Sequence, residues 1–297
     1  MKKWGFLLLL LLCLFLTFIN KESFFESKAD IPNVEVLKYD QHENDKAEDR
    51  MASENSQKIV ITEEQIYQGN LLLVNNEHPV HEESIKSDVV NLTIHNELTQ
   101  GYVLLGSTNY MSLDIAQKFS EMMADAGKEG LHNFAITSGF RSFEEQKILY
   151  EQMGSDLALP PGYSEHNLGL SLDVGSTQMK MEHAPEGKWI EKNAWKYGFI
   201  LRYPKNKTDI TGIQYEPWHI RYVGLPHSAI MKEKGFVLEE YLDYLKEEKK
   251  VSTKVEGKKY TVSYYPFSEN MTINLPKNQE YEISGDNING VIVTINE

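Results

Sequence analysis

The chain has 297 residues, long enough for one full enzyme domain with smaller attachments, and its 41% hydrophobic and 25% charged content is that of a protein with a sizeable core. A net charge of -14 excludes nucleic acid as a partner, since phosphate binding rests on clustered Lys and Arg. The single cysteine, Cys13, lies in an apolar N-terminal run, which rules out an intramolecular disulfide, a multi-cysteine zinc site and a thiol nucleophile in the soluble part.

In chain order, Lys2 and Lys3 precede an almost unbroken apolar run over 4–19, the pattern of an export signal. No A-x-A-like site follows, so residues 1–20 are expected to stay as a membrane anchor, with the lysines inside and the remainder of the chain extracytoplasmic; the alternative is a signal that is cleaved, with the chain secreted. Residues 21–60 are polar and charged without a sustained apolar period and predict a stalk. The run Leu71-Leu72-Leu73-Val74, bounded by Asn75 and Asn76, predicts a buried strand. Ser112 is placed to cap a helix with Ile115, Phe119, Met122 and Ala126 on one face, stopped by Gly127 and Gly130. A buried strand follows over 134–137.

That strand feeds S-G-F-R-S, where Ser142 and Glu145 form a capping box for a helix reaching about Met153. Arg141 therefore sits beside a helix N-terminus, a place suited to an anionic or developing oxyanion oxygen, and Gln146 is one turn into the same helix. After the stiff Pro160-Pro161 loop comes S-E-H-N-L-G-L-S-L-D, residues 164–173. Leu168, Leu170, Leu172 and Val174 alternate as the core side of a strand, which turns Asp173 to the opposite face. A helix over 188–197 ending at Gly198 and a strand over 199–203 precede E-P-W-H, residues 216–219. His166, Asp173 and His219 have the chemistry of a catalytic zinc site with three protein ligands and an open fourth position, and Glu216 is left as a general base. In a regular strand positions 216 and 219 face opposite ways, so this reading requires a kink at Pro217. Helices are expected over 226–234 and 238–249, then a small all-β appendage over 250–297 rich in Thr, Val, Ile and Tyr.

The motifs S-G-F-R-S with Gln146, S-x-H-x-x-G-x-x-x-D and E-P-W-H-I-R-Y-V-G together resemble the VanY-type zinc D-alanyl-D-alanine carboxypeptidases over roughly residues 65–249. The resemblance implies an α+β domain over 61–249, an antiparallel sheet with flanking helices around one zinc ion per chain, of the Hedgehog/DD-peptidase-like kind. It implies zinc ligands His166, Asp173 and His219, Glu216 as base, Arg141 as a contact to the substrate carbonyl, and Gln146 and Ser164 as pocket positions. The implied activity is removal of the terminal D-Ala from peptidoglycan precursor pentapeptides ending in D-Ala-D-Ala, which deletes the target of vancomycin. Two alternatives are an L,D-carboxypeptidase acting on tetrapeptide stems and a non-catalytic, zinc-containing wall-binding domain. Serine-type carboxypeptidases are excluded because neither S-x-x-K nor K-T-G occurs.

Overall fold

The computed structural model describes residues 34–37, 55–105, 109–155 and 158–297. The expected anchor, 1–20, lies outside the described residues, among which no helix is long and apolar enough to cross a membrane. The first half runs β1 Val34–Leu37, β2 Ser56–Val60, β3 Val89–Asn91, β4 Tyr102–Leu104, β5 Tyr110–Ser112, α1 Leu113–Lys128, β6 Phe134–Ser138 and α2 Phe143–Met153. Next come β7 Ser171–Ser176, α3 Pro185–Asn193, β8 Phe199–Leu201, the single turn α4 Thr208–Thr211, β9 His219–Tyr222, α5 His227–Lys234 and α6 Leu238–Glu248. The chain closes with β10 Lys250–Val255, β11 Lys258–Pro266, β12 Thr272–Pro276, β13 Glu280–Gly285 and β14 Gly290–Asn296.

The sheet that positions the site has the order β4-β6-β7-β9-β8 and is antiparallel except for the β4–β6 pair. One face is the main core. There Ile115, Phe119, Met122 and Met123 of α1 pack with Phe134, Ile136, Leu172, Val174 and Ile220 of the strands. Each such side chain contributes about 1.5–3 kcal/mol when fully buried, so this face fixes the register and with it every side chain on the opposite face. The expected Ser112 cap is more elaborate than a local one. Ser112 Oγ donates to Asp88 Oδ2 at 2.8 Å, and the same oxygen accepts from the Asp114 N–H at 3.1 Å, so a side chain remote in sequence satisfies the first turn of α1. The capping box of α2 forms as expected, with Glu145 N–H donating to Ser142 Oγ at 3.2 Å and Ser142 N–H donating to Glu145 Oε2 at 2.8 Å.

The C-terminal strands form a second antiparallel sheet, β1-β10-β11-β14-β13, beside the two-stranded pair β12–β2. Its inner face buries Val251, Val255, Val262 and Ile292 against Ala229, Ile230, Leu238, Tyr241 and Leu242 of α5 and α6 in one continuous cluster. Two stretches of the expected stalk are strands: Val34–Leu37 pairs with β10 and Ser56–Val60 with β12. Edge strands of this kind are short and flanked by charge, so their pairing partner is invisible in local composition. Residues 71–74 are buried but belong to no strand, contrary to the expected strand. Isolated bonds replace the ladder: Asn287 Nδ2 donates to the Leu73 carbonyl at 2.8 Å, Leu71 N–H to Ser284 Oγ at 2.9 Å and Leu73 N–H to the Asp286 carbonyl at 3.2 Å.

Candidate metal centre

Asp173 on β7 lies directly opposite His219 on β9 in the antiparallel register, so both side chains leave the sheet on the same face. His219 Nδ1 is 3.1 Å from Asp173 Oδ1. His166 arrives from a single turn, Glu165–Asn167, where Ser164 Oγ accepts from the His166 N–H at 3.4 Å, and its Nε2 is 3.4 Å from Asp173 Oδ2. Ligand atoms of His166, Asp173 and His219 all fall within 4.8 Å of one another.

The kink at Pro217 is present. β9 begins only at His219, whose N–H donates to the Glu216 carbonyl at 3.2 Å and closes a turn with proline in its second position, the place its fixed φ suits. A further bond from Glu216 N–H to the Tyr203 carbonyl, 3.0 Å, holds the entry to this turn. Glu216 Oε2 thereby comes to 3.9 Å from His219 Nδ1.

Hydrogen-bond partners assign the ring protons. His166 Nδ1 is 2.8 Å from the Gly139 carbonyl, which only accepts, so Nδ1 donates and Nε2 keeps its lone pair. His219 Nε2 is 3.2 Å from Glu165 Oε2, which only accepts, so Nε2 donates, and the neutral ring then presents the Nδ1 lone pair toward Asp173. With both rings neutral, two imidazole lone pairs and a carboxylate converge, an arrangement that a cation, either a metal ion or a proton, must satisfy. Two nitrogens, one carboxylate oxygen and tautomers locked from behind fit zinc with three protein ligands.

In the absence of a metal the same atoms compete for a proton. Burial pulls the His219 pKa down, but the hydrogen bonds and charges of Asp173 and Glu165 outweigh it and raise it to about 9. Burial acts to raise Asp173, but His166 and His219 hold it far below the usual carboxylate range. Glu216 goes the other way: burial pushes its pKa up, opposed by His219 and reinforced by Asp173 and Glu165.

Arg141 is held at three points. Its Nη2 donates to Ser138 Oγ at 2.8 Å, its Nη1 to Gln146 Oε1 at 2.6 Å, and its backbone N–H to the His166 carbonyl at 3.0 Å. Gln146 is fixed in turn by donating to the Leu159 carbonyl at 2.6 Å. Burial lowers the guanidinium pKa while the charge of Asp173 supports it, and Ser138, which holds the guanidinium, is paired with Asp173 across β6 and β7. Gln146 and Ser164 are both buried, the first engaged with Arg141 and the second with the His166 turn.

Along nearly its whole length the protein is similar to a D-alanyl-D-alanine carboxypeptidase of Enterococcus faecium, 62% identical over 297 residues that cover 99% of this chain and 96% of the relative. Residues 108–225 match the family model described as VanY, D-alanyl-D-alanine carboxypeptidase. The chain belongs to the VanY family. The matched span runs through every candidate from Arg141 to His219. This VanY-family chain is also 36% identical over 152 residues to VanXYC of Enterococcus gallinarum, a bifunctional D-Ala-D-Ala dipeptidase and carboxypeptidase, covering 46% of this chain and 79% of that one. Among solved structures it resembles the vancomycin-resistance D,D-dipeptidase VanXYg in complex with a D-Ala-D-Ala phosphinate analogue. The TM-score is 0.71 at 32% identity, covering 82% of this chain and 99% of that one.

Sequence reasoning overlooked the charges behind the VanY-family motifs. Glu165, Arg202 and Arg221 are buried together, Arg202 pairing with Glu165 at 2.8 Å and Arg221 with the same oxygen at 2.7 Å. Burial acts to raise the Glu165 pKa, but Arg221, Arg202 and His219 hold it well below the usual range. The available signal was an arginine placed inside two otherwise apolar strand segments, Leu201-Arg202-Tyr203 and Ile220-Arg221-Tyr222.

Proposed function

We propose that the chain is a zinc-dependent D,D-carboxypeptidase that releases the terminal D-alanine from peptidoglycan precursor stems ending in D-Ala-D-Ala. The observation that carries this reading is the meeting of a three-ligand donor set, a proton-accepting carboxylate and a fixed guanidinium on one face of one sheet. His166 Nε2, His219 Nδ1 and Asp173 would hold the ion. When bound, zinc activates water and polarises the scissile carbonyl.

Glu216 takes up the proton of the attacking water and returns it to the leaving amine. Its raised pKa favours holding that proton between the two steps. Arg141, stiffened by Ser138 and Gln146, faces the carbonyl oxygen as it gains negative charge. Family membership and the carboxypeptidase name of the Enterococcus faecium relative support the substrate class. The names of VanXYC and VanXYg favour a second reading in which the free dipeptide is also cut.

Residues 61–249 are proposed as the enzyme domain, 250–297 as a β-rich support, and 1–20 as an anchor that keeps the enzyme outside the membrane, where stems that have crossed it can be trimmed. The decisive experiment incubates the purified protein with a pentapeptide stem, a tetrapeptide stem and D-Ala-D-Ala, with and without zinc, and identifies products by mass. Loss of one D-alanine from the pentapeptide alone supports the first reading, and cleavage of the dipeptide supports the second. Trimming of the tetrapeptide would instead mark an L,D-carboxypeptidase. Membrane pelleting of the full chain, compared with a chain lacking residues 1–20, tests the anchor.

A further inference from the structure

Behind His219, on the ring nitrogen opposite the one that meets Asp173, a carboxylate is closed off from solvent. The Glu165 side chain is 1% exposed. Its Oε1 accepts from Arg202 Nε at 2.8 Å and Arg221 Nη1 at 2.7 Å, and its Oε2 accepts from Ser171 Oγ at 3.1 Å and stands 3.2 Å from His219 Nε2. Every lone-pair direction is used, so this group has only acceptance to offer the imidazole.

The division of labour between the two oxygens is informative. A purely structural ion pair is best served by the parallel fork, as Arg202 makes with Glu239 through Nη1–Oε2 at 2.9 Å and Nη2–Oε1 at 2.7 Å. Around Glu165 both arginines converge on Oε1, and Oε2 is left to a serine and the histidine. The network is also anchored at a distance. Arg221 Nη2 donates to the carbonyls of Asn70 at 3.2 Å and Leu72 at 2.9 Å, and Glu239 belongs to α6.

We propose that Glu165 is a positioning residue for the metal: its hydrogen bond to Nε2–H fixes His219 in the tautomer and rotation that aim Nδ1 at the ion, and strengthens that nitrogen as a donor. The arginines neutralise the charge that this role requires and fix its place. The inference deepens the proposed function and rests on zinc binding at His166, Asp173 and His219. Glu165 touches neither substrate nor ion; it acts through His219. A carboxylate behind a ligating imidazole typically governs metal affinity by about 10- to 100-fold.

The test uses the full chain and reads zinc affinity by competition with a chromophoric chelator, apart from turnover. Glu165→Gln keeps the size of the side chain and removes its charge. The expected result is about 10- to 100-fold weaker zinc binding with the fold retained by circular dichroism. A Glu165→Gln protein that binds zinc as tightly as wild type overturns the proposal. If that variant does not fold, the cobalt(II)-loaded wild type decides. An exchange-protected, hyperfine-shifted proton on His219 Nε2 supports the proposal, and a proton on Nδ1 with the metal on Nε2 overturns it. A wild type that binds no zinc at all sinks the carboxypeptidase reading, and this inference with it, and is distinguishable from failure in the variant alone.

Discussion

His219 and His227 are both buried imidazoles, 4% and 2% exposed, yet the protein treats them in opposite ways. His219 stands between Asp173 and Glu165, and those carboxylates lift its pKa to about 9 against the pull of burial. His227 joins α5 to α6 and β14 through hydroxyls alone, Tyr241 at 2.7 Å and Thr294 at 3.0 Å, and burial takes its pKa down to about 3. A hydroxyl can donate or accept and so adapts to a neutral ring, whereas a carboxylate demands a positive partner. Burial is common to the two regions; what separates a cation-binding cleft from a packing contact is whether the partners carry charge.

The sharpest way to break this comparison is at the cleft. Glu216→Gln should lower the rate of D-alanine release by about 10²- to 10⁴-fold while leaving zinc affinity intact, measured by single-turnover assay and chelator competition. An unchanged rate would remove Glu216 from the chemistry. Arg141→Met should reduce kcat by about 10²- to 10³-fold, the effect of losing one donor aimed at a developing oxyanion. If KM alone changes, Arg141 binds substrate without favouring the transition state.

The helix–sheet contact should respond in stability and not in catalysis. His227→Leu leaves the hydroxyls of Tyr241 and Thr294 without their partner and should cost about 1–3 kcal/mol in urea unfolding, with kcat and zinc affinity unchanged. The same group also sets a slope with pH. Between pH 6.5 and about 3 the unfolded chain binds a proton at His227 that the native chain does not, so acid favours unfolding. Stability from this group is complete above pH 6.5 and falls by about 1.4 kcal/mol per pH unit as pH drops through that window. The urea midpoint of wild type should therefore decline more steeply with acid than that of His227→Leu. Parallel curves would show that His227 is not held neutral.

Much of the cleft was legible in the sequence because its parts are local. The capping box of α2, the alternation that turns Asp173 away from Leu172 and Val174, and the proline-stiffened approach to His166 are written in consecutive residues. Pro217 announced the need for a bend, though not that a turn closed by Glu216 and His219 would supply it. Glu165 is illegible locally because its meaning comes from Arg202 and Arg221, which only the sheet brings near. Residues 71–74 share the composition of a buried strand but satisfy their backbone through Asn287, Ser284 and Arg221, partners far away in sequence. Likewise β1 and β2 owe their structure to β10 and β12, and the C-terminal strands pack on α5 and α6 in a shared core, which local composition could not reveal.

The most direct test of the central claim is mass identification of the product released from a D-Ala-D-Ala-terminated pentapeptide by wild-type protein, metal-stripped protein and stripped protein resupplied with zinc. A zinc D,D-carboxypeptidase yields a tetrapeptide and free D-alanine in the first and third samples and leaves the substrate intact in the second. Equal cleavage by the stripped protein, or no cleavage by any of the three, would contradict that claim.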